Sequence, residues 1–174
     1  MYLKIKKIKG IEYAYLVNQT YNKRKKNTRQ KNISYLGKVL QLQRVKNLTL
    51  SSQIKVPLEE FIEQAPQREI FKALIKLELI NHGFKIIGGE NFVKDNLQVT
   101  GGCMRFSDKM NNSKVCFEVN QGFLTSRSLD RLCTPLSQHT DDVECANVFA
   151  RRVRSEGLDP SEEVFILLFR KLRP

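Results

Sequence analysis

Three absences narrow this sequence before any pattern is read in it. No stretch approaches the roughly 20 apolar residues needed to span a bilayer, and the opening Met1-Tyr2-Leu3-Lys4-Ile5-Lys6-Lys7 lacks the apolar run of a signal peptide. Both absences predict a cytoplasmic protein with no membrane partner. Short-spaced metal ligands are missing too. Cys103, Cys116, Cys133 and Cys145 form no C-x-x-C pair, and His82 and His139 do not stand at i,i+4 helix spacing. Reduced, mostly buried thiols packing as small hydrophobes are the expectation, with no structural metal. Catalytic signatures are equally thin. With two histidines and no Gly-x-Ser-x-Gly elbow, a hydrolase triad has little to build on. Gly88-Gly89 and Gly101-Gly102 lack the Lys-Ser/Thr that follows a phosphate cradle and read as hairpin turns.

Acidic residues are scarcest where basic ones are densest. Residues 1–56 hold fourteen Lys or Arg and one carboxylate, Glu12, for a net charge of +13. The other 118 residues carry sixteen Lys or Arg against seventeen Asp or Glu, for a net of −1. A basic block joined to a neutral part suggests two jobs. Clustered cations release condensed counterions from a phosphate backbone, so the block reads as a polyanion-binding module. At 41% apolar residues the chain has enough to bury a core.

The basic block has strand periodicity. Leu3 and Ile5 alternate with Lys4 and Lys6, and the phase slip at Lys6-Lys7 predicts a bulge before Gly10 turns the chain. From Glu12 to Asn18, Tyr13, Tyr15 and Val17 share one face and Ala14 and Leu16 the other. A third run, Lys31 to Leu36, ends at Gly37. Between the second and third runs, Tyr21 to Arg29 forms a turn in which five of nine residues are cationic. Candidate phosphate contacts are Lys23, Arg24, Lys25, Lys26, Arg29 and Lys31, helped by Lys4, Lys6, Lys7 and Lys9, with Tyr21 beside them. Tyr13, Tyr15, Tyr21 and Tyr35 are placed either to stack on bases or to pack the sheet.

Tyr13-Ala14-Tyr15-Leu16-Val17, the Lys23 to Lys26 turn and Tyr35-Leu36-Gly37-Lys38 lie within residues 5–39. This segment resembles the basic amino-terminal β-segment of DDE insertion-sequence transposases. The resemblance covers about a fifth of the chain and implies nucleic-acid contact; no catalytic core of that family is placed in the rest of the chain.

Gln41 to Lys55 is polar and without acid, the natural connector. The expected organisation is a basic three-stranded β-module over 1–48, a connector over 49–56 and an α+β domain over 57–174. In that domain Pro57 opens a short helix that stops near Ala65-Pro66, and Gln67 to His82 makes the strongest helix. Its apolar stripe is wide, which predicts a central helix buried against a mixed sheet, with Gly83 just past its end. Short strands are expected near 84–87, 91–93, 97–100, 103–106 and 114–119, and helices over 126–136 and from Asp141 to Gly157. In the tail, Asp159-Pro160-Ser161-Glu162 fits a helix cap, yet the apolar run Val164 to Phe169 is assigned to a buried strand.

The order helix, strand, Asp-bearing strand, then Val115-Cys116-Phe117-Glu118-Val119-Asn120 is similar to a PD-(D/E)xK nuclease core over residues 67–122. That resemblance implies Glu78, Asp95 and Glu118 as magnesium ligands, with Mg as the cofactor. The chain departs from the pattern at Asn120, where the family has Lys, and lacks Pro before Asp95. The expected function is therefore a nucleic-acid-binding protein without catalytic activity or cofactor, acting on DNA or RNA. Its α+β domain would supply specificity, self-association as a homo-oligomer, or partner binding. The alternatives are a degenerate metal-dependent nuclease, or a ribonucleoprotein component whose basic hairpin inserts into folded RNA.

Overall fold

The protein is α+β. A computed structural model describes residues 2–22, 24, 26–102, 104–136 and 142–173, without the side chains of Asn22, Asn27 and Arg29. Expectations for Lys23, Lys25, Cys103, His139 and Asp141 fall outside the described residues. The chain begins with three strands, β1 (Tyr2–Ile8), β2 (Ile11–Asn22) and β3 (Asn27–Gln41). A connector containing a 3-10 turn at Leu50–Ser52 leads to helices α1 (Leu58–Gln64) and α2 (Gln67–Asn81). Short strands follow: β4 (Lys85–Ile87), β5 (Asn91–Lys94), β6 (Leu97–Thr100), β7 (Arg105–Asp108), β8 (Ser113–Val119) and β9 (Gly122–Leu124). Helices α3 (Ser128–Leu132), α4 (Asp142–Ser155) and α5 (Glu162–Leu172) complete the described chain.

The strands form one sheet in the order β1-β2-β3-β8-β7-β6-β5-β4, with β9 also on β8. All neighbours are antiparallel except β3 and β8, which run parallel from Lys38 opposite Val115 to Gln41 opposite Glu118. The basic segment is thus hydrogen-bonded into the same sheet as the remainder. β3 occupies one edge of β8, while β7 and β9 share the other.

The first hairpin is tight because Lys9 and Gly10 both adopt positive φ, 50° and 81°, as a two-residue turn matched to strand twist requires. The bulge expected at Lys6-Lys7 is absent: β1 pairs with β2 without a slip from Tyr2–Val17 to Ile8–Ile11. The phase change comes instead from β3, whose register against β2 shifts twice, leaving Leu36 and Ile33 without direct partners. Gly37, expected to end the third strand, lies inside it. There φ is +142°, and a Cβ would come within 2.6 Å of the Lys114 carbonyl carbon and oxygen. The glycine is needed for a close crossing of two backbones, not for a turn.

One large core lies between the helices and one sheet face. The buried stripe of α2, including Ile70, Phe71, Leu74, Ile75 and Leu77, packs with Phe84, Phe92, Phe106, Val115 and Phe117. Phe117 is central, its ring 5.3 Å from that of Phe84 and 5.2 Å from that of Phe106. Alternation along β8 sends Cys116 to the opposite face, where it joins Ala14, Leu16 and Leu36 in a smaller cluster with Leu3, Ile5, Val39 and Phe123 around it. Cys116, Cys133 and Cys145 are free thiols, and burial pushes the Cys116 thiol pKa up to about 12.

The tail corrects the strand expected over Val164 to Phe169: it is helix α5. The Ser161 side chain accepts from the Val164 N–H at 3.5 Å, and Glu162 and Glu163 occupy the positive end of the helix dipole. Val164 and Leu168 are buried, with Phe165, Phe169 and Leu172 packed partly against the core, a stripe that works only at helical period. Lys171 then reaches back to the carbonyls of Ile62, Glu63 and Ala65 at 2.7–2.8 Å and caps the end of α1.

Gly37→Ala should lower stability by about 2–4 kcal/mol, because β3 must lift from β8 to admit the methyl group. Gly10→Ala meets nothing within 4 Å, so only the positive φ counts against it, at about 1–2 kcal/mol. Urea unfolding of the two variants decides the matter: equal losses would mean that the close crossing is not the constraint.

Candidate nucleic-acid interface

β2 and β3 outrun β1. The last residue of β2 with a partner on β1 is Val17, opposite Tyr2, but β2 and β3 continue paired from Asn18–Lys31 to Asn22–Asn27. These five pairs make a two-stranded ribbon that projects about 17 Å at ~3.4 Å per residue. The turn expected over Tyr21 to Arg29 is therefore shorter, for Tyr21 pairs with Thr28 and Arg29 with Thr20 on the strands. Tyr21 is 61% exposed, and Arg24, Lys26 and Lys31 are exposed as well.

The first-strand lysines divide between the two faces. Lys4, Lys6 and Ile8 alternate onto one face, while Lys7 is exposed opposite Glu12 on the other. Lys9 is exposed in the turn. Lys4 Nζ donates to Gln30 Oε1 at 2.7 Å and Lys6 Nζ to Asn32 Oδ1 at 3.4 Å, each reaching across β2 to β3. Lys6 also sits 4.9 Å from the centroid of the Tyr15 ring, a cation–π contact.

The tyrosines make a patch on this face. Tyr35 packs between Tyr13 and Tyr15, with centroid distances of 6.3 and 5.5 Å and tilts of 48° and 51°. With Ile8 these rings line an open groove of about 320 Å³. Burial, then the Tyr13 and Tyr15 phenols, raise the Tyr35 pKa above its ordinary 10.0. Register explains why the patch is open. Tyr13 lies opposite Lys38, which lies opposite Val115, so the three share a face. Val115 is under the helices, whereas Tyr13 and Tyr35 lie beyond them on the same side of the sheet. Tyr35 is 40% exposed, Ile8 47% and Ile11 38%. Ile8, Ile11 and Lys38 were missed as site residues. An unbroken alternation through Lys4, Lys6 and Ile8, in place of the expected bulge, is the signal that would have found Ile8.

The nuclease residues are not brought together. Glu78 is buried beneath the helix-covered face, Glu118 alternates to the opposite face from Phe117, and Asp95 occupies the β5–β6 turn. With β7 between β6 and β8, about 10 Å of sheet separates the Asp95 turn from Glu118's strand. Among the described residues no three of His, Cys, Asp and Glu group in a way that could hold a metal ion.

Glu78 has a structural task instead. Its carboxylate accepts from Asn120 Nδ2 and from the Asp159 N–H, both at 3.2 Å, and lies 3.9 Å from Arg44. Asn120 also donates to the Gly157 carbonyl at 2.7 Å, and Arg44 pairs with Asp159 at 2.9 Å. His82 closes the cluster, with Nδ1 2.8 Å from the Glu78 carbonyl, and burial holds its pKa below the ordinary value. One turn on, the Asn81 side chain exchanges hydrogen bonds with the Leu48 backbone, fixing the connector to the end of α2. Asn120 adopts a φ of 51° in the β8–β9 turn, a conformation asparagine tolerates better than most residues, while its amide joins the Glu78 carboxylate to the Gly157 carbonyl.

No protein family, curated protein or solved structure matches this chain. Among the described residues no helix is long and apolar enough to cross a membrane.

Burial raises the Glu78 pKa above 4.5, against the lowering effects of Asn120 and Arg44. A carboxyl raised in the folded state contributes its full stability below its unfolded pKa and loses it as pH rises through the folded one. Glu78→Gln should therefore flatten part of the fall in stability as pH rises above about 4.5. Urea midpoints across that range would test this, and superimposable curves for the two proteins would contradict it.

Proposed function

We propose that this protein binds DNA or RNA without catalysis, holding phosphates along the β2–β3 ribbon. The observation that carries the reading is the ribbon itself, a projecting two-stranded arm in the most basic segment of the chain. Residues 1–56 hold a single carboxylate, and Glu12 lies at the far end of β2 from the ribbon's tip. A two-stranded β-ribbon is narrow enough to enter a major groove about 12 Å wide, where its cations face both phosphate walls. Lys4 and Lys6, anchored to Gln30 and Asn32, would extend the phosphate track onto the sheet. Pairing of β2 with β1 and of β3 with β8 holds the arm's base, and the arm extends beyond both partners. Self-association and partner binding fall to the nearly neutral remainder in this reading.

Six phosphate contacts would give a log–log salt slope near −5 on duplex DNA, at about −0.9 per contact. Replacing Lys23, Arg24, Lys25 and Lys26 with Gln should weaken binding and make the slope shallower by about 3–4. Filter binding or anisotropy between low and physiological salt measures both. An affinity indifferent to salt, or unchanged in the quadruple variant, would sink the proposal.

A further inference from the structure

The tyrosine groove has features that phosphate binding alone does not require. It is an exposed aromatic and aliphatic patch on a sheet face, and such patches mark interaction sites when polar groups rim them. Here the rim is cationic: Lys6 lies over Tyr15, and Lys38 stands opposite Tyr13. Within β1 to β3 the sole carboxylate is Glu12, and alternation sends it to the other face. An occupant must therefore offer flat apolar surface and negative charge together. Nucleobases on a phosphate backbone do so.

Geometry narrows the occupant further. The ring centroids are 5.5 and 6.3 Å apart, wider than the ~3.4 Å per nucleotide of a stacked strand. Rings so spaced suit bases pulled apart from one another, and bases inside a duplex cannot offer their faces at all. Lys6 already covers one side of Tyr15. Tyr13 and Tyr35 are left as the stacking surfaces, with Lys6 and Lys38 beside them for the intervening phosphates. A second copy of this chain is a poor occupant, because it would bring two strongly basic faces together.

We propose that the Tyr13–Tyr35 groove stacks the unpaired bases of a single-stranded nucleic acid, continuous with the phosphate track of the ribbon. This rests on the nucleic-acid reading above and adds to it an unpaired stretch of strand, held at the groove beside the ribbon.

The test uses the full chain and four labelled probes: a 12-nucleotide oligothymidylate, an oligouridylate and an abasic deoxyribose-phosphate strand of that length, and a 12-base-pair duplex. At fixed moderate salt, the base-bearing strands should bind about tenfold or more tightly than the abasic strand. Tyr35→Ala should remove about tenfold of that affinity and leave the abasic strand and duplex unchanged. Tyr35→Phe keeps the ring and should retain binding, and its urea midpoint controls for folding. Tighter binding of either oligothymidylate or oligouridylate than of the abasic strand supports the proposal. Equal affinity for base-bearing and abasic strands overturns it while leaving phosphate binding intact. So does a Tyr35→Ala protein that holds oligothymidylate and oligouridylate as tightly as the parent. Failure of all four probes to bind even at low salt would remove the nucleic-acid reading itself. Sedimentation showing a dimer that Tyr35→Ala dissociates would assign the groove to a second copy and overturn the proposal.

Discussion

At Gly37 the backbone of β3 passes so close to that of β8 that there is no room for one more carbon atom. That approach is what lets four parallel pairs, Lys38–Val115 to Gln41–Glu118, join the basic strands to the rest of the sheet. Alternation sends Leu36 toward the small cluster around Cys116 and Tyr35 to the other face, and the bulge beside them returns Lys38 to the tyrosine face, opposite Tyr13. Steric exclusion at one position thus fixes the register that sorts apolar from aromatic residues. The tyrosine face and the large core are two stretches of a single sheet surface, one bare and one under helices.

Behind the sheet, polar burial follows the same logic of joining segments distant in sequence. Glu78 gathers the connector through Arg44, the β8–β9 turn through Asn120 and the approach to α5 through Asp159. Glu156, fully buried, lies 2.9 Å from Arg131 and so links the end of α4 to α3. Removing one partner of such a pair would leave a buried charge uncompensated, the more damaging change. These carboxylates are raised by burial and held by amides and guanidinium groups, an arrangement suited to fixing loops in place.

Much of the fold was legible where a local rule acts alone. The α2 stripe ending at Gly83, the positive-φ turn at Gly10 and the α1 start after Pro57 each follow from chemistry within a few residues. The errors lie where a partner outside the segment decides. Gly37 reads as a stop unless β8 is known to pass beside it, and the length of β3 depends on that partner. Val164 to Phe169 is apolar enough for a buried strand, and only the packing of Phe165 and Phe169 on Phe149, with rings 5.1 and 6.2 Å apart, selects the helix. β9 is three residues long and exists by pairing with β8. For the candidate interface, the cations were visible as a charge imbalance. That Tyr13, Tyr15 and Tyr35 lie beyond the helical layer was not, because helices outside the basic segment, from Leu58 onward, determine what is covered.

Because β3 lies alongside β8 over four consecutive pairs, the seam between them has a mechanical character. A pull along the ribbon toward its tip is directed along β3, across its hydrogen bonds with β8. The four pairs are then loaded in shear and share the force, where a peeling load would break them one at a time. The arm is a lever whose fulcrum resists most strongly along its own length. Force applied at the tip is carried through β8 into the part of the core where Phe84, Phe106 and Phe117 pack together.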